Sequence, residues 1–139
     1  MYKLLPAIIL SILLPSNFAN ASSDWTNVVK PIVNGCTDVF QLENLTKAQK
    51  DSIKSKTVKK LSMDEGEKIT YILKNATAYG YPINKIQITI GYEAIQSLYF
   101  SNEKFMALKN TVKTTAESGT LTFNKKEKSI TCGWMEGGE

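Results

Sequence analysis

The chain has 139 residues, of which 17 are lysine and 13 are acidic, and it contains neither arginine nor histidine. Histidine is the usual general base and zinc ligand near neutral pH, and arginine supplies the planar fork that binds phosphates and guanine edges. From this composition we expect no enzyme activity, no cofactor, no metal site and no nucleic-acid partner.

The first segment has the pattern of a secretory signal peptide, and the use of lysine for every basic residue favours a bacterial source. One lysine, Lys3, precedes an apolar run from Leu4 to Leu14, which is too short to cross a hydrocarbon core of about 30 Å. The small residues Ala19 and Ala21 then fit a cleavage site. The pattern predicts a signal peptide over 1–21 and a single globular domain over 22–139. The mature protein is expected to be periplasmic or secreted, with no stable membrane insertion after cleavage.

Two cysteines, Cys36 and Cys132, lie near the two ends of the predicted domain. An even number of cysteines in an exported protein favours a disulfide over a metal site or a nucleophile. We therefore predict a Cys36–Cys132 disulfide that ties the first helix to the last strand.

Helices are predicted for the first part of the domain. Ser23 can cap a first helix that Gly35 ends. The apolar positions of this helix fall on one stripe: Trp25, Val28, Val29, Ile32 and Val33. Thr46 can cap a second helix, from Lys47 to about Lys60, which holds six lysines spread nearly all round its surface.

A third helix is predicted after Asp64. Asp64 and Glu67 have the spacing of a capping box, apolar residues recur at helical intervals as far as Ala76, and Gly80 and Pro82 would end the helix. A strand is the weaker alternative, since Ile69, Tyr71 and Leu73 alternate with other residues.

Strand patterns dominate after Pro82. Ile86, Ile88 and Ile90 alternate with polar residues, and residues 94–101 supply a second strand. Asn102 can cap a helix over 103–113, and a hairpin follows with strands at 120–123 and 129–134. The fold class is α+β: N-terminal helices packed on a mostly antiparallel sheet of about four strands, with one helix inserted before a C-terminal hairpin.

The sequence motifs give little support for catalysis or metal binding. The acidic cluster of Asp64, Glu65 and Glu67 lacks the alternating ligand spacing of a calcium loop. Ser101 and Lys104 have the spacing of a serine–lysine pair, but the companion motifs of that chemistry are absent.

Five residues are the candidate partner-binding positions. Tyr79 and Tyr81 flank Gly80 in a predicted turn, and exposed tyrosines are good interface anchors. Lys54, Lys59 and Lys60 lie in the lysine-rich segment and would attract an acidic surface. The alternatives are packed or solvated tyrosines and a solvated lysine-rich face.

Two function classes remain. The first is an inhibitor or immunity protein that binds and neutralises a toxin or a wall-degrading enzyme, and the surface of this target is expected to be acidic. The second is an accessory or chaperone-like protein of envelope or secretion assembly, which accepts a client strand at an open sheet edge. A carrier of small molecules or lipids is a weaker third class, because it needs an apolar cavity.

Overall fold

A seven-stranded sheet forms the centre of the structure. This computed structural model describes residues 22–38, 42–62, 66–91, 93–112 and 119–135, so the predicted signal peptide lies outside the described residues. The elements are β1 (Ser23–Asp24), α1 (Thr26–Val33), α2 (Lys47–Ser52), β2 (Ile53–Lys60), β3 (Glu67–Ala78), β4 (Tyr81–Ile90), β5 (Glu93–Phe100), a 3₁₀ helix (Glu103–Asn110), β6 (Thr120–Asn124) and β7 (Ser129–Met135).

The strands are arranged mainly as an antiparallel meander. Antiparallel pairing joins β2 to β3, β3 to β4, β4 to β5, β5 to β7 and β7 to β6. The short strand β1 pairs in parallel with the later part of β3, at Ala76 and Thr77. The α+β class is confirmed. The predicted size of the sheet is wrong, because the described helices are short and much of the N-terminal part joins the sheet.

The predicted third helix is wrong, because residues 67–78 form β3. Val58 of β2 and Ile88 of β4 lie on either side of Ile69, so β3 is paired along both edges. The isoleucines, tyrosine and threonines of this segment suit a pleated surface, and pairing with two neighbouring strands outweighs the helical pattern. Gly80 therefore ends no helix and instead lies in the turn between β3 and β4.

The predicted lysine-rich helix is correct only at its start. Thr46 caps α2 as a capping box: its Oγ1 accepts a hydrogen bond from Gln49 N (3.1 Å), and its own N–H donates to Gln49 Oε1 (2.9 Å). After Ser52 the chain becomes strand. As a helix, this segment has only a narrow stripe to bury, formed by Ile53, Thr57 and Leu61 with Val58 on its flank, because lysines lie nearly all round it. As a strand it gains a ladder with β3.

The remaining predicted elements follow the sequence patterns closely. The strands after Pro82 and the C-terminal hairpin are confirmed. Asn102 caps the next segment by accepting a hydrogen bond from Lys104 N (3.0 Å), although that segment is a 3₁₀ helix. The first helix is confirmed, but Ser23 does not cap it; Ser23 lies in β1, and Trp25 occupies the cap position without a side-chain hydrogen bond.

The sheet has one covered face and one open face. Ile86, Leu98 and Ile130 lie side by side across three strands and are fully buried, and α1 packs on the same face. The Cys36–Cys132 disulfide, predicted from the sequence, is confirmed and joins the end of α1 to β7. On the open face, polar side chains satisfy one another: Tyr99 OH donates to Gln87 Oε1 (3.0 Å), and Ser97 and Thr131 hydroxyls are 2.9 Å apart.

Candidate functional site

The most exposed regular element of the described structure is β2, which we call the basic edge (Ile53–Lys60). Seven of its eight residues are exposed. Four are lysines: Lys54, Lys56, Lys59 and Lys60. Within the described residues the basic edge pairs with β3 alone, so its other side presents unpaired backbone N–H and C=O groups.

The register of the ladder assigns the side chains of the basic edge to two faces. Lys56 is opposite Tyr71, Val58 opposite Ile69 and Lys60 opposite Glu67. Alternate residues of a strand share a face. The core face of the sheet therefore carries Lys56, Val58 and Lys60. Thr57 and Lys59 project on the open side. A valine therefore lies between two lysines on one face.

Apolar side chains on this face extend beyond the part of the sheet that the helices cover. Val58 is 51% exposed and Ile90 is 58% exposed, while Ile69, between the two strands that carry them, is half-buried. We call Val58, Ile69 and Ile90 the apolar patch. An exposed apolar patch rimmed by polar residues is one feature of interaction sites.

The lysines of the basic edge have no ion-pair partner among the described residues, where the ion pairs are Lys47–Asp51 and Lys125–Glu103. Lys59 stands opposite Lys68, a like-charged pair that destabilises the ladder slightly. Lys56 Nζ lies 5.6 Å from the centre of the Tyr71 ring, which is a cation–π distance. Among the described residues, positive charge is therefore concentrated along this edge.

The two predicted tyrosines lie far from the predicted lysines. Lys60 is opposite Glu67 at the start of β3 and Tyr81 is opposite Ala78 at its end, which separates Lys60 from Tyr81 by about 36 Å at the usual rise of a strand. Lys54 is nearer to Tyr81, at about 18 Å along the strand, because its neighbour Ile53 is opposite Leu73. Tyr81 packs edge-on against Phe100, with ring centroids 6.4 Å apart. The structure does not bring these tyrosines and lysines together in one site.

Tyr79 has structural features that need no partner to explain them. It has a φ of 53° and precedes Gly80, whose φ is 80°; two positive φ values are typical of a tight hairpin turn. Its N–H donates to Thr26 Oγ1 (2.8 Å). Its hydroxyl is buried with no hydrogen-bond partner among the described groups. Burial raises the pKa of this phenol, and the charge of Asp24 raises it further.

We expect Tyr79→Phe to change how stability depends on pH. The folded wild-type protein holds Tyr79 neutral, whereas the unfolded chain ionises near the ordinary pKa of 10.0, so wild-type stability is present below pH 10 and falls as the pH rises above it. In the variant, this contribution to the fall of the free energy of unfolding above pH 10 is absent. At pH 7 it should be as stable as wild type or up to about 1 kcal/mol more stable, because an unpaired hydroxyl is removed.

Urea unfolding at pH 7, 9 and 10.5 measures this effect. The matched control is Tyr99→Phe, which removes a hydroxyl that does donate a hydrogen bond, to Gln87, and should cost about 1 kcal/mol at pH 7. If both variants lost the same free energy of unfolding at pH 7, the assignment of an unpaired hydroxyl to Tyr79 would be contradicted.

A small cavity is lined by residues of β5, β6 and β7, far from β2 in the strand order. Its volume is about 210 Å³, and its lining residues are Glu93, Ile95, Thr120, Gly133 and Trp134. This is smaller than the pockets that hold most small-molecule ligands. This cavity alone does not carry the predicted carrier class.

The described residues contain no group of three potential metal ligands among histidine, cysteine, aspartate and glutamate. Asp64 and Glu65 of the acidic cluster lie outside the described residues. No helix in the described ranges is long and apolar enough to cross a membrane. The disulfide fits an oxidising compartment.

The predicted binding residues did not include Val58, Ile90 and Lys56. Lys56 and Val58 could have been found from the alternation of Lys56, Val58 and Lys60, but this alternation has meaning only if the segment is a strand.

Comparison of the chain with protein-family models, curated proteins and solved structures finds no significant match.

Proposed function

We propose that this protein is a bacterial, exported protein-binding domain of the periplasm that holds an acidic partner at the basic edge, as an inhibitor or immunity protein neutralising a toxin or a wall-degrading enzyme would. The observation that carries this proposal is the basic edge itself. Among the described residues it is a strand paired on one side only, and its four lysines have no ion-pair partner there and lie beside the exposed apolar patch.

Electrostatics supports an acidic partner rather than a basic one. Without the predicted signal peptide and its single lysine, Lys3, the chain has 16 lysines and 13 acidic residues, a net charge of +3. Clustered positive charge speeds the encounter with a negatively charged surface and repels a cationic one. A cationic lysozyme is therefore a poor target for this surface.

The scaffold supports presentation of a pre-formed surface. Among the described residues, β2 is paired along its length to β3, which is paired in turn to β4. The core beneath the sheet is tied by the Cys36–Cys132 disulfide. A pre-organised surface loses less conformational entropy on binding, which favours a tight one-to-one complex.

The unpaired side of β2 also favours a second candidate, an accessory or chaperone-like protein of envelope or secretion assembly. Within the described part of the chain, β2 offers eight residues of open edge, enough to accept a strand from a client. The two candidates differ in stoichiometry and selectivity. An inhibitor or immunity protein captures one partner in a fixed ratio, whereas an assembly protein binds many extended segments.

We expect charge reversal of the basic edge to abolish partner capture. The triple variant Lys54→Glu/Lys56→Glu/Lys59→Glu should capture its partner at least about tenfold less efficiently than wild type, because attraction becomes repulsion. The measurement is affinity capture from periplasmic extract and from secretions of competing strains, with the mature, oxidised protein as bait and quantitative mass spectrometry as readout.

The matched control is Lys104→Glu/Lys109→Glu/Lys126→Glu, which changes the net charge equally at exposed positions outside the basic edge. A single acidic partner retained by wild type and by the control, but lost by the edge variant, supports the proposal. Equal capture by all three proteins contradicts it.

A further inference from the structure

We infer that the acidic partner binds by adding a β-strand to the free side of β2, and that the added strand carries an acidic–x–apolar–x–acidic pattern. This inference rests on the proposed function and specifies its binding mode and the chemistry of its partner. It is drawn from the register of the ladder, from the two faces of the basic edge and from the exposure of Val58.

The free side of β2 needs a hydrogen-bonding partner that supplies both donors and acceptors in a regular row. Within the described residues, all of the ladder contacts of β2 are with β3, from Ile53 to Lys60. An extended peptide provides the matching N–H and C=O groups, which gives affinity, while its alternate side chains give selectivity.

The alternation of β2 dictates the side chains of that strand. Lys56, Val58 and Lys60 point to one face at alternate positions. Residues directly opposite each other in a sheet have Cβ atoms about 5 Å apart. An added strand therefore places one carboxylate opposite Lys56 and another opposite Lys60, and an apolar residue opposite Val58, which extends the apolar patch by one strand. The pattern reads the same in both directions, so it suits either strand orientation.

A second copy of the chain is a poor occupant of this edge. An antiparallel pairing of two β2 strands that places Val58 opposite its copy places Lys56 opposite Lys60 in both halves. Like charges directly opposite each other destabilise a ladder, and lysines on edge strands are a common protection against self-association. The same lysines that prevent self-pairing select an acidic strand.

A planar anionic membrane also fits this edge less well than a strand. Lys59 projects on the face opposite to Lys56 and Lys60, so a plane can meet only part of the lysine set. Lipid headgroups also supply no regular row of hydrogen-bond donors for the unpaired carbonyl groups.

The test uses a defined seven-residue peptide with blocked ends, which has glutamate at positions two and six, valine at position four and threonine elsewhere. A composition-matched control peptide moves the valine to position five and so to the other face. Two further versions carry N-methyl groups on alternate sets of backbone amides. Binding to the mature, oxidised protein is followed by NMR titration, together with hydrogen exchange of the β2 amides.

We expect the patterned peptide to bind and to slow exchange along β2. Moving the valine should weaken binding several-fold. One set of N-methyl groups should abolish binding and the other should leave it within about threefold, because only alternate amides of a strand face its neighbour. Lys56→Glu/Lys60→Glu should weaken binding at least about tenfold, and Lys109→Glu/Lys126→Glu by less than about twofold. Val58→Thr keeps the branched strand-forming shape and should weaken binding several-fold.

Three results would overturn this inference: no binding of the peptide, equal effects of the two N-methylated sets, or binding to vesicles of phosphatidylglycerol and phosphatidylethanolamine in place of the peptide. Failure of the inference differs from failure of the proposed function. If the peptide does not bind but edge charge reversal still prevents capture of a protein partner, the partner uses a folded surface and only the strand mode fails. If charge reversal leaves capture intact, the proposed function fails.

Discussion

Replacing Cys36 and Cys132 together with alanine should lower the free energy of unfolding by about 4 to 5 kcal/mol. The two residues are 96 positions apart in sequence. A cross-link over so long a loop removes a large part of the conformational entropy of the unfolded chain, so its loss stabilises the unfolded state. Both cysteines are also fully buried, and the smaller alanines leave a space in the core.

The expected loss is large because a chain of this size has a free energy of unfolding of only about 5 to 15 kcal/mol. Urea unfolding of three samples measures it: oxidised wild type, wild type reduced with dithiothreitol, and the double alanine variant. The reduced wild type and the variant should agree within about 1 kcal/mol if the cross-link is the main cause. A difference of less than 1 kcal/mol between oxidised and reduced wild type would show that the disulfide contributes little.

The backbone at Cys36 indicates where loosening begins. Cys36 has a φ of 59°, and Gly35 before it has a φ of 92°. A left-handed conformation is unfavourable for a residue with a side chain, and the surrounding structure must hold it. After reduction, amide exchange should accelerate first around residues 34–37, before it accelerates in β7.

The elements that were predicted well have patterns that involve only residues close together in the sequence. Ile86, Ile88 and Ile90 alternate strictly, so β4 could be identified without knowledge of its neighbours. Asn102 and Thr46 could be identified as caps because an amide or hydroxyl next to helix amides acts locally. The disulfide followed from the number of cysteines and the predicted compartment.

The elements that the sequence predicted wrongly depend on distant parts of the chain. Residues 67–78 satisfy a helical pattern and a strand pattern, and the pairing of Ile69 with Val58 and Ile88 decides between them. The same uncertainty concealed the candidate site. Read as a helix, the lysine-rich segment has charge on all sides; read as a strand, it has Val58 between Lys56 and Lys60 on one face.

Trp25 should have the largest effect of any single side chain in the described core. Its exposed fraction is 1%, and its indole N–H donates to two hydroxyl oxygens, Ser23 Oγ at 3.1 Å and Ser52 Oγ at 3.0 Å. Its backbone N–H donates to Thr77 O at 2.7 Å. This one residue therefore connects β1, the end of α2 and β3.

Trp25→Ala should lower the free energy of unfolding by about 3 to 5 kcal/mol, because it removes a large buried ring and leaves a cavity. Trp25→Phe keeps most of the apolar volume but loses both hydrogen bonds of the indole, and should cost about 1 to 3 kcal/mol. Urea unfolding followed by far-UV circular dichroism measures both variants. A smaller loss for alanine than for phenylalanine would contradict the assignment of Trp25 to a packed core position.

The Trp25→Phe variant also tests whether the core positions the candidate site. Ser52 is the last residue of α2, and the basic edge begins at the next residue. Gln49, one turn earlier in α2, donates from Nε2 to Asp24 O at 2.8 Å, so the start of β2 is held by contacts to β1 and Trp25. We expect Trp25→Phe to accelerate amide exchange at Ile53 and Lys54 before it does so at Lys59 and Lys60, which among the described residues are held by pairing with β3. Equal acceleration along the whole strand would show that the ladder with β3, and not the contact at Trp25, positions the basic edge.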